Sequence, residues 1–435
     1  MKNIILRLSP NLLILLFSAF SIQAFAQGGL LVASNDKKSP GIAEESIVTA
    51  GEVAQNKAEE EEKPVEGKFT YSGYFDTYYF ANLNQPSTRN NLGNSGISRG
   101  FDRYVGQFQL GMFLNRMSYA YKNTEVVGEI GFGPNVEYGS YGNDFRYKWG
   151  TVVANSTYSA IMIKQAYINL KANDKLTFTM GQFGTHIGYE YIDAPLNFNY
   201  SINNTFNAGI PFYHLGIKAT YAFSDKVSLM GGIVNGTDGF NDNNRGKSFI
   251  GQLFVSPAKG LNIYFNTIQG NEANANTVGS DTTGYFGVLD LVINYQMTEK
   301  WFLGGWFMQG TSKGSFQGGT FFPEAKHWAG ANLYVQYKFS DIFSLGTRIE
   351  YFDNKQGVRS LLTNGEGTDV QTYTLTGNFS LADAKLLLKP EFRMDVFEKK
   401  QGPAGETMPQ QFVDADGKFT KNTQSTIGMA VIYKF

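Results

Sequence analysis

Leu386-Leu387-Leu388-Lys389-Pro390-Glu391-Phe392-Arg393-Met394-Asp395-Val396 alternates residue by residue. Leu386, Leu388, Pro390, Phe392, Met394 and Val396 hold the even places, and Lys389, Glu391, Arg393 and Asp395 follow Leu387 on the odd ones. Successive side chains of a strand point to opposite faces, so every charge in the stretch shares one face. A half-buried strand of a soluble sandwich reads the same way, so the weight rests on repetition. Pro390 lacks an N–H, removes a ladder hydrogen bond and predicts a bulge there.

The pattern recurs along the chain. Sixteen segments carry it: 68–81, 104–121, 125–136, 158–171, 175–184, 212–223, 226–236, 247–256, 260–269, 284–297, 300–310, 326–339, 342–353, 369–381, 385–397 and 421–435. Their connections alternate in length. Short ones such as Lys122-Asn123-Thr124, Ser224-Asp225 and Ser340-Asp341 are interleaved with the longer 82–103, 137–157, 185–211, 237–246, 270–283, 311–325, 354–368 and 398–420. Tight turns at one end and longer loops at the other are the signature of a transmembrane antiparallel up-and-down β-barrel, here of about sixteen strands. An even strand count places both termini on one side, expected to be the periplasm.

Lipid offers no hydrogen-bond partner, so a sheet spans a bilayer only when it closes on itself. A tilted strand crosses with about 9–11 residues, which each segment supplies or nearly supplies. Composition agrees: 49 Gly, 25 Tyr and 36 Phe accompany an overall hydropathy that looks soluble, as expected when only alternate positions face lipid. Aromatics near segment ends, Tyr78-Tyr79-Phe80, Tyr119 and Tyr121, Tyr221 and Phe223, Tyr337 and Phe339, and Tyr351-Phe352, are candidates for interfacial girdles, although aromatics favour any strand.

Residues 1–26 read as a cleaved secretory leader: Lys2 and Arg7, an apolar run from Leu12 to Phe20, then Ala24-Phe25-Ala26 before Gln27. Residues 27–66 form an acidic, aromatic-poor segment of net charge −5 that includes Glu59-Glu60-Glu61-Glu62, read as a flexible periplasmic leader to the first strand. The barrel domain is 67–435. Its 31 bases and 29 acids predict weak charge selectivity, and the balance leaves no nucleic-acid footprint. With no cysteine, there is no disulfide framework and no thiol nucleophile.

Gly73-Tyr74-Phe75-Asp76-Thr77-Tyr78-Tyr79 opens the barrel region. Gly181-Gln182-Phe183-Gly184-Thr185-His186-Ile187-Gly188-Tyr189-Glu190 leads into Asn197-Phe198-Asn199-Tyr200-Ser201 and Ile210-Pro211-Phe212-Tyr213-His214-Leu215-Gly216. These stretches resemble the OmpL-like β-barrel porin family over about 67–435. The resemblance implies an outer-membrane barrel that passes solutes, with no catalytic residues to carry over. The ending Met429, Val431, Tyr433, Phe435 on one face resembles the signal read by the barrel assembly machinery.

Sixteen strands enclose a lumen wide enough for water and small solutes. Phasing by the apolar face turns Asp76, Glu129, Lys218, Asp290, Arg348, Glu350, Lys389, Glu391, Arg393 and Asp395 inward. As pore-lining groups of both signs they would select ions weakly; as salt bridges they would stiffen the wall. Arg116 and Lys164 fall on faces the pattern leaves open. The third long loop, 185–211, is aromatic-rich, and Tyr189, Glu190, Tyr191 and Asp193 are expected either at a constriction or capping the outer mouth.

The expected function is passive diffusion of small hydrophilic solutes. A surface-binding or structural barrel with a closed lumen is the competing reading. Enzymatic readings find no motif. His186, His214 and His327 have no metal-site spacing in the sequence, and no cofactor or metal is expected. Outer-membrane lipid is the expected surround, and a homotrimer and a monomer are both consistent with the pattern.

Overall fold

The computed structural model describes residues 66–139, 161–239, 242, 244–272, 284–315, 321–402 and 408–435. The leader and all but the last residue of the acidic segment lie outside the described residues. Sixteen strands make the barrel: β1 Lys68–Asn82, β2 Phe108–Tyr121, β3 Thr124–Phe132, β4 Ile161–Lys171, β5 Leu176–Gly184, β6 Tyr213–Ser224, β7 Val227–Val234, β8 Ser248–Ala258, β9 Leu261–Gly270, β10 Tyr285–Gln296, β11 Trp301–Ser315, β12 Phe321–Lys338, β13 Phe343–Asn354, β14 Glu366–Leu381, β15 Leu386–Phe397 and β16 Thr423–Lys434.

Each strand pairs antiparallel with its neighbours in sequence, and the last pairs with the first. β1 runs from Lys68↔Ala120 to Tyr79↔Phe108 against β2, and from Tyr74↔Lys434 to Asn82↔Thr426 against β16. The sheet therefore has no free edge, which satisfies the backbone in lipid. Seven short turns share one end with Lys68 and Lys434, the turn end; the longer connections share the other, the loop end.

Side chains alternate as the pleat demands. Phe75, Val126, Ile168, Ile217, Leu253, Leu289, Leu333, Ile349, Leu375 and Ile427 are exposed on the outer face. Asp76, Asn266, Asp290, Asn332, Arg348 and Arg393 are buried on the inner one.

Some expectations need correction. In Tyr78-Tyr79-Phe80 only Tyr79 is exposed; Tyr78 and Phe80 are buried inward, because three consecutive strand residues cannot share a face. Phe352 is buried inward for the same reason. Pro390 makes no bulge. It pairs in register with Met429, and against β14 the ladder only lapses between Thr376↔Glu391 and Phe379↔Leu388.

Boundaries moved too. Tyr104 bridges Asn90 within a loop, so β2 starts at Phe108. β3 stops at Phe132 because Gly133 turns the chain at φ +112 and Pro134–Gly139 then forms a single helical turn. β11 and β12 outrun their apolar pattern: Thr311↔His327 and Ser312↔Lys326 still pair. Past the apolar belt the ladder needs no alternation.

Candidate functional site

The connection between β5 and β6, residues 185–211, folds into the lumen. A backbone taken out of water must find new partners for its N–H and C=O groups. The inward charges of the wall supply them. Lys389 Nζ donates to Ala194 O at 2.9 Å and also to Asn197 O. Arg393 Nη1 donates to Ile202 O at 2.6 Å, and Arg348 Nη1 to Ser201 O at 2.6 Å. Glu391 accepts from the N–H groups of Tyr200 and Ser201 at 2.7 and 3.1 Å. Glu350 accepts from those of Asn204 and Thr205 at 3.1 and 2.6 Å. A five-residue π-helical turn, Thr205–Gly209, follows; Trp328 Nε1 and Arg359 Nε hold the carbonyls of Gly209 and Ala208 at 2.8 and 2.6 Å.

Side chains add a second layer. Glu190 pairs with Arg348 at 2.6 Å, and Tyr200 Oη donates to Asp76 Oδ2 at 2.7 Å. Asp290 accepts from Trp306 Nε1 and, at 3.2 Å, from Gly188 N. Asp395 pairs with Arg393 at 2.7 Å and with Arg99 at 3.1 Å. Arg99 and its partner Asp102 come from the 83–107 connection, which shares the lumen with the loop. Phe206, Ile210 and Phe212 pack with Trp306, Met308, Val288 and Ile268 of the wall.

Glycines in the wall make room. A Cβ on Gly304 would sit 2.9 Å from the Tyr189 ring, and one on Gly346 would overlap Phe198. Tyr189 stacks on Tyr334 with centroids 3.9 Å apart.

All ten inward positions expected from the pattern lie on the inner face, and only Lys218 is not fully buried. Eight of them touch no open lumen: Asp76, Asp290, Arg348, Glu350, Lys389, Glu391, Arg393 and Asp395 serve the in-folded connections. Glu129 instead joins the two residues the pattern left open. Arg116 reaches Glu129 at 2.5 Å, Lys164 reaches it at 3.1 Å, and Lys164 also pairs with Asp193 of the loop at 2.6 Å. Solvent enters here: the Arg116, Lys164 and Asp193 side chains are 34%, 12% and 13% exposed.

Arg116 and Lys164 were illegible because Arg116 lies beyond an irregularity and Lys164 is the unpaired residue within one. Pairing shifts between Phe75 and Thr77 opposite β2, and between Glu129 and Ile130 opposite β4. Arg99 and Asp102 carried no periodic signal at all. Of the loop residues, Tyr189 and Glu190 are held against the wall, Asp193 meets Lys164, and Tyr191 is exposed.

His186 and His214, distant in sequence, come to 6.0 Å between ring centroids. Their ring nitrogens are engaged by Thr267 O and by Thr185 and Gly236 O. Among the described residues no group of three potential metal ligands gathers. Outside the strands, Asp238 accepts from Phe212 N at 2.6 Å and Tyr213 N at 3.3 Å, tying the 235–247 connection to the loop's exit. Burial pushes its carboxyl up to about 6 despite those donors.

Several solved structures share the architecture. The trimer form of OmpT from Vibrio cholerae is 14% identical with TM-score 0.51, covering 85% of this chain and 99% of its own. An anion-selective porin from Comamonas acidovorans is 10% identical with TM-score 0.52, covering 85% and 100%. The outer-membrane channel DcaP of Acinetobacter baumannii is 9% identical with TM-score 0.51, covering 85% and 97%. At such identities they speak for the fold alone. No curated protein matches the sequence. Residues 68–435 match the family described as "Putative beta-barrel porin-2, OmpL-like". The chain thus belongs to the OmpL-like β-barrel porin family of the bacterial outer membrane.

Proposed function

We propose that this protein is a passive, non-enzymatic channel for small hydrophilic solutes, weakly charge-selective, with its narrowest point between residues 189–198 and the β2–β4 wall. The observation that carries this reading is the Arg116–Glu129–Lys164–Asp193 cluster, where solvent meets charges of both signs at the level of the in-folded loop. Asp193 and Tyr191 are the solute-facing residues of the loop in this reading, and Tyr189 and Glu190 hold it. Residues 1–26 act as the cleaved leader, 27–66 as a periplasmic tether, and the turn end faces the periplasm. A homotrimer is the assembly to look for by mass measurement of the detergent-extracted protein.

A second reading is a barrel whose lumen stays closed; the unbroken burial of residues 199–214 favours it. Single-channel recording in a planar bilayer separates the two. Under the channel reading the native protein conducts and deletion of 189–198 raises conductance several-fold. Unchanged conductance rejects this constriction, and a native barrel without conductance rejects the channel.

A further inference from the structure

The turn-end half of the lumen has a lopsided charge distribution. One hydrogen-bonded row of inward positions crosses six strands: Lys68↔Ala120, Ala120↔Glu125, Glu125↔Asn169, Asn169↔Thr179 and Thr179↔Lys218. Lys434 of β16 pairs with the inward Tyr74 and extends the same arc. Lys171 lies on the inner face of β4, two residues beyond Asn169, and pairs with Thr177.

Among the described residues, Lys218, Lys434, Lys68 and Lys171 have no carboxylate within ion-pair distance. Lys218 is half-buried with its ammonium 4.6 Å from the Phe183 ring centroid. Among the described residues, Glu125 is the one inward side-chain carboxylate in the turn-end half of the arc outside the Arg116–Glu129–Lys164–Asp193 cluster, and Asn169 donates to it at 3.1 Å. That cluster holds two bases and two acids and is neutral. The turn-end half of the arc therefore sets four lysine side chains against one glutamate, an excess of three positive side-chain charges.

Among the described residues, the facing arc, β7 to β14, presents no inward carboxylate at its turn end. Its inward turn-end positions are uncharged apart from one base, a mixture of aromatics such as Phe254 and Phe302 with amides and hydroxyls such as Gln252, Asn262, Asn294, Gln336, Ser344 and Asn378. Its one base there, Lys338, is paired with Asp341 at 2.7 Å.

From this placement we infer that the turn-end vestibule is an anion-attracting antechamber, making the channel prefer small anions such as chloride, inorganic phosphate and carboxylates. The inference rests on the channel reading and gives its weak selectivity a sign. A one-signed arc against an uncharged wall sets a transverse field and enriches counter-ions within roughly a Debye length, about 10 Å at 0.1 M salt.

The test is the reversal potential of the full-length protein in a planar bilayer under a potassium chloride gradient near 0.1 M. The expected chloride-over-potassium permeability ratio is about 2 or more, shrinking as salt is raised. Lys218→Gln alone should lower the ratio, Lys218→Gln with Lys434→Gln should bring it close to unity, and Lys218→Glu should invert the preference. Lys218 lies far from the terminal strand, so its variants leave the assembly signal intact, and the heat-modifiable band of each variant on an unboiled gel verifies the folded barrel. A potassium-preferring native channel, or a ratio unmoved by Lys218→Glu, overturns the vestibule but not the channel. Absence of any current overturns both.

Discussion

Arg348 shows what a single residue does in this lumen. Its guanidinium is fully buried between the Glu190 carboxylate, the Ser201 carbonyl and Thr374 Oγ1. Removing one partner of a buried ion pair strands the other charge, at a cost of about 3–5 kcal/mol. Arg348→Ala is therefore expected to lower thermal stability in detergent and loosen the loop. Pairing it with Glu190→Gln should restore part of the loss, and additive losses in that double-mutant cycle would show the two residues to be uncoupled. Both residues could be picked out of the sequence, one by its place on an alternating strand and the other by its aromatic-rich loop. Their partnership could not, since 158 positions separate them. Gly304 and Gly346 were equally silent: the need for a missing Cβ exists only once Tyr189 and Phe198 lie against them.

At the scale of elements, the sixteen strands were legible and the in-folded loop was only half so. The inward charges of β13 and β15 stand in rows because a loop backbone lies along them, accepting and donating in turn. Local irregularity hid the rest: one added residue reverses strand parity, which is how Arg116 and Lys164 escaped the pattern. Where the loop leaves, Asp238 ties it to the next connection. The folded protein holds the Asp238 proton to about pH 6, whereas an unperturbed aspartate releases it near 3.8. Between those values the folded state binds more protons than the unfolded one, so this group's contribution to stability falls as pH rises through the window. Asp238→Asn is expected to flatten the stability profile from about pH 4 to 6, read as the thermal midpoint of detergent-solubilised protein. An identical slope in the variant would assign the dependence elsewhere.

For the whole molecule, closure is the governing event. Phe435 takes part directly: its N–H and C=O exchange hydrogen bonds with Gly73 at 3.0 Å, and its ring lies 5.7 and 6.0 Å from those of Tyr71 and Phe113. Met429, Tyr433 and Phe435 are exposed outward, while Ala430 and Ile432 are buried within. Deleting Phe435 removes two bonds at the seam and one aromatic anchor. We expect less folded barrel in the outer membrane, measured as the heat-modifiable band on an unboiled gel. An undiminished band would leave the terminal residue without an assembly role.

Period two, the alternating connection lengths and the greasy final strand were enough, by themselves, to determine a closed sixteen-stranded sheet and the inward facing of ten charges on its strands, though not of Arg116 and Lys164. Those signals are local, arising from the pleat and from the demand that every backbone group in lipid be paired. What those charges do was decided only in three dimensions. A lumen wide enough for water is also wide enough for a loop, and the contacts between loop and wall join residues more than a hundred positions apart. No periodicity along the chain records them.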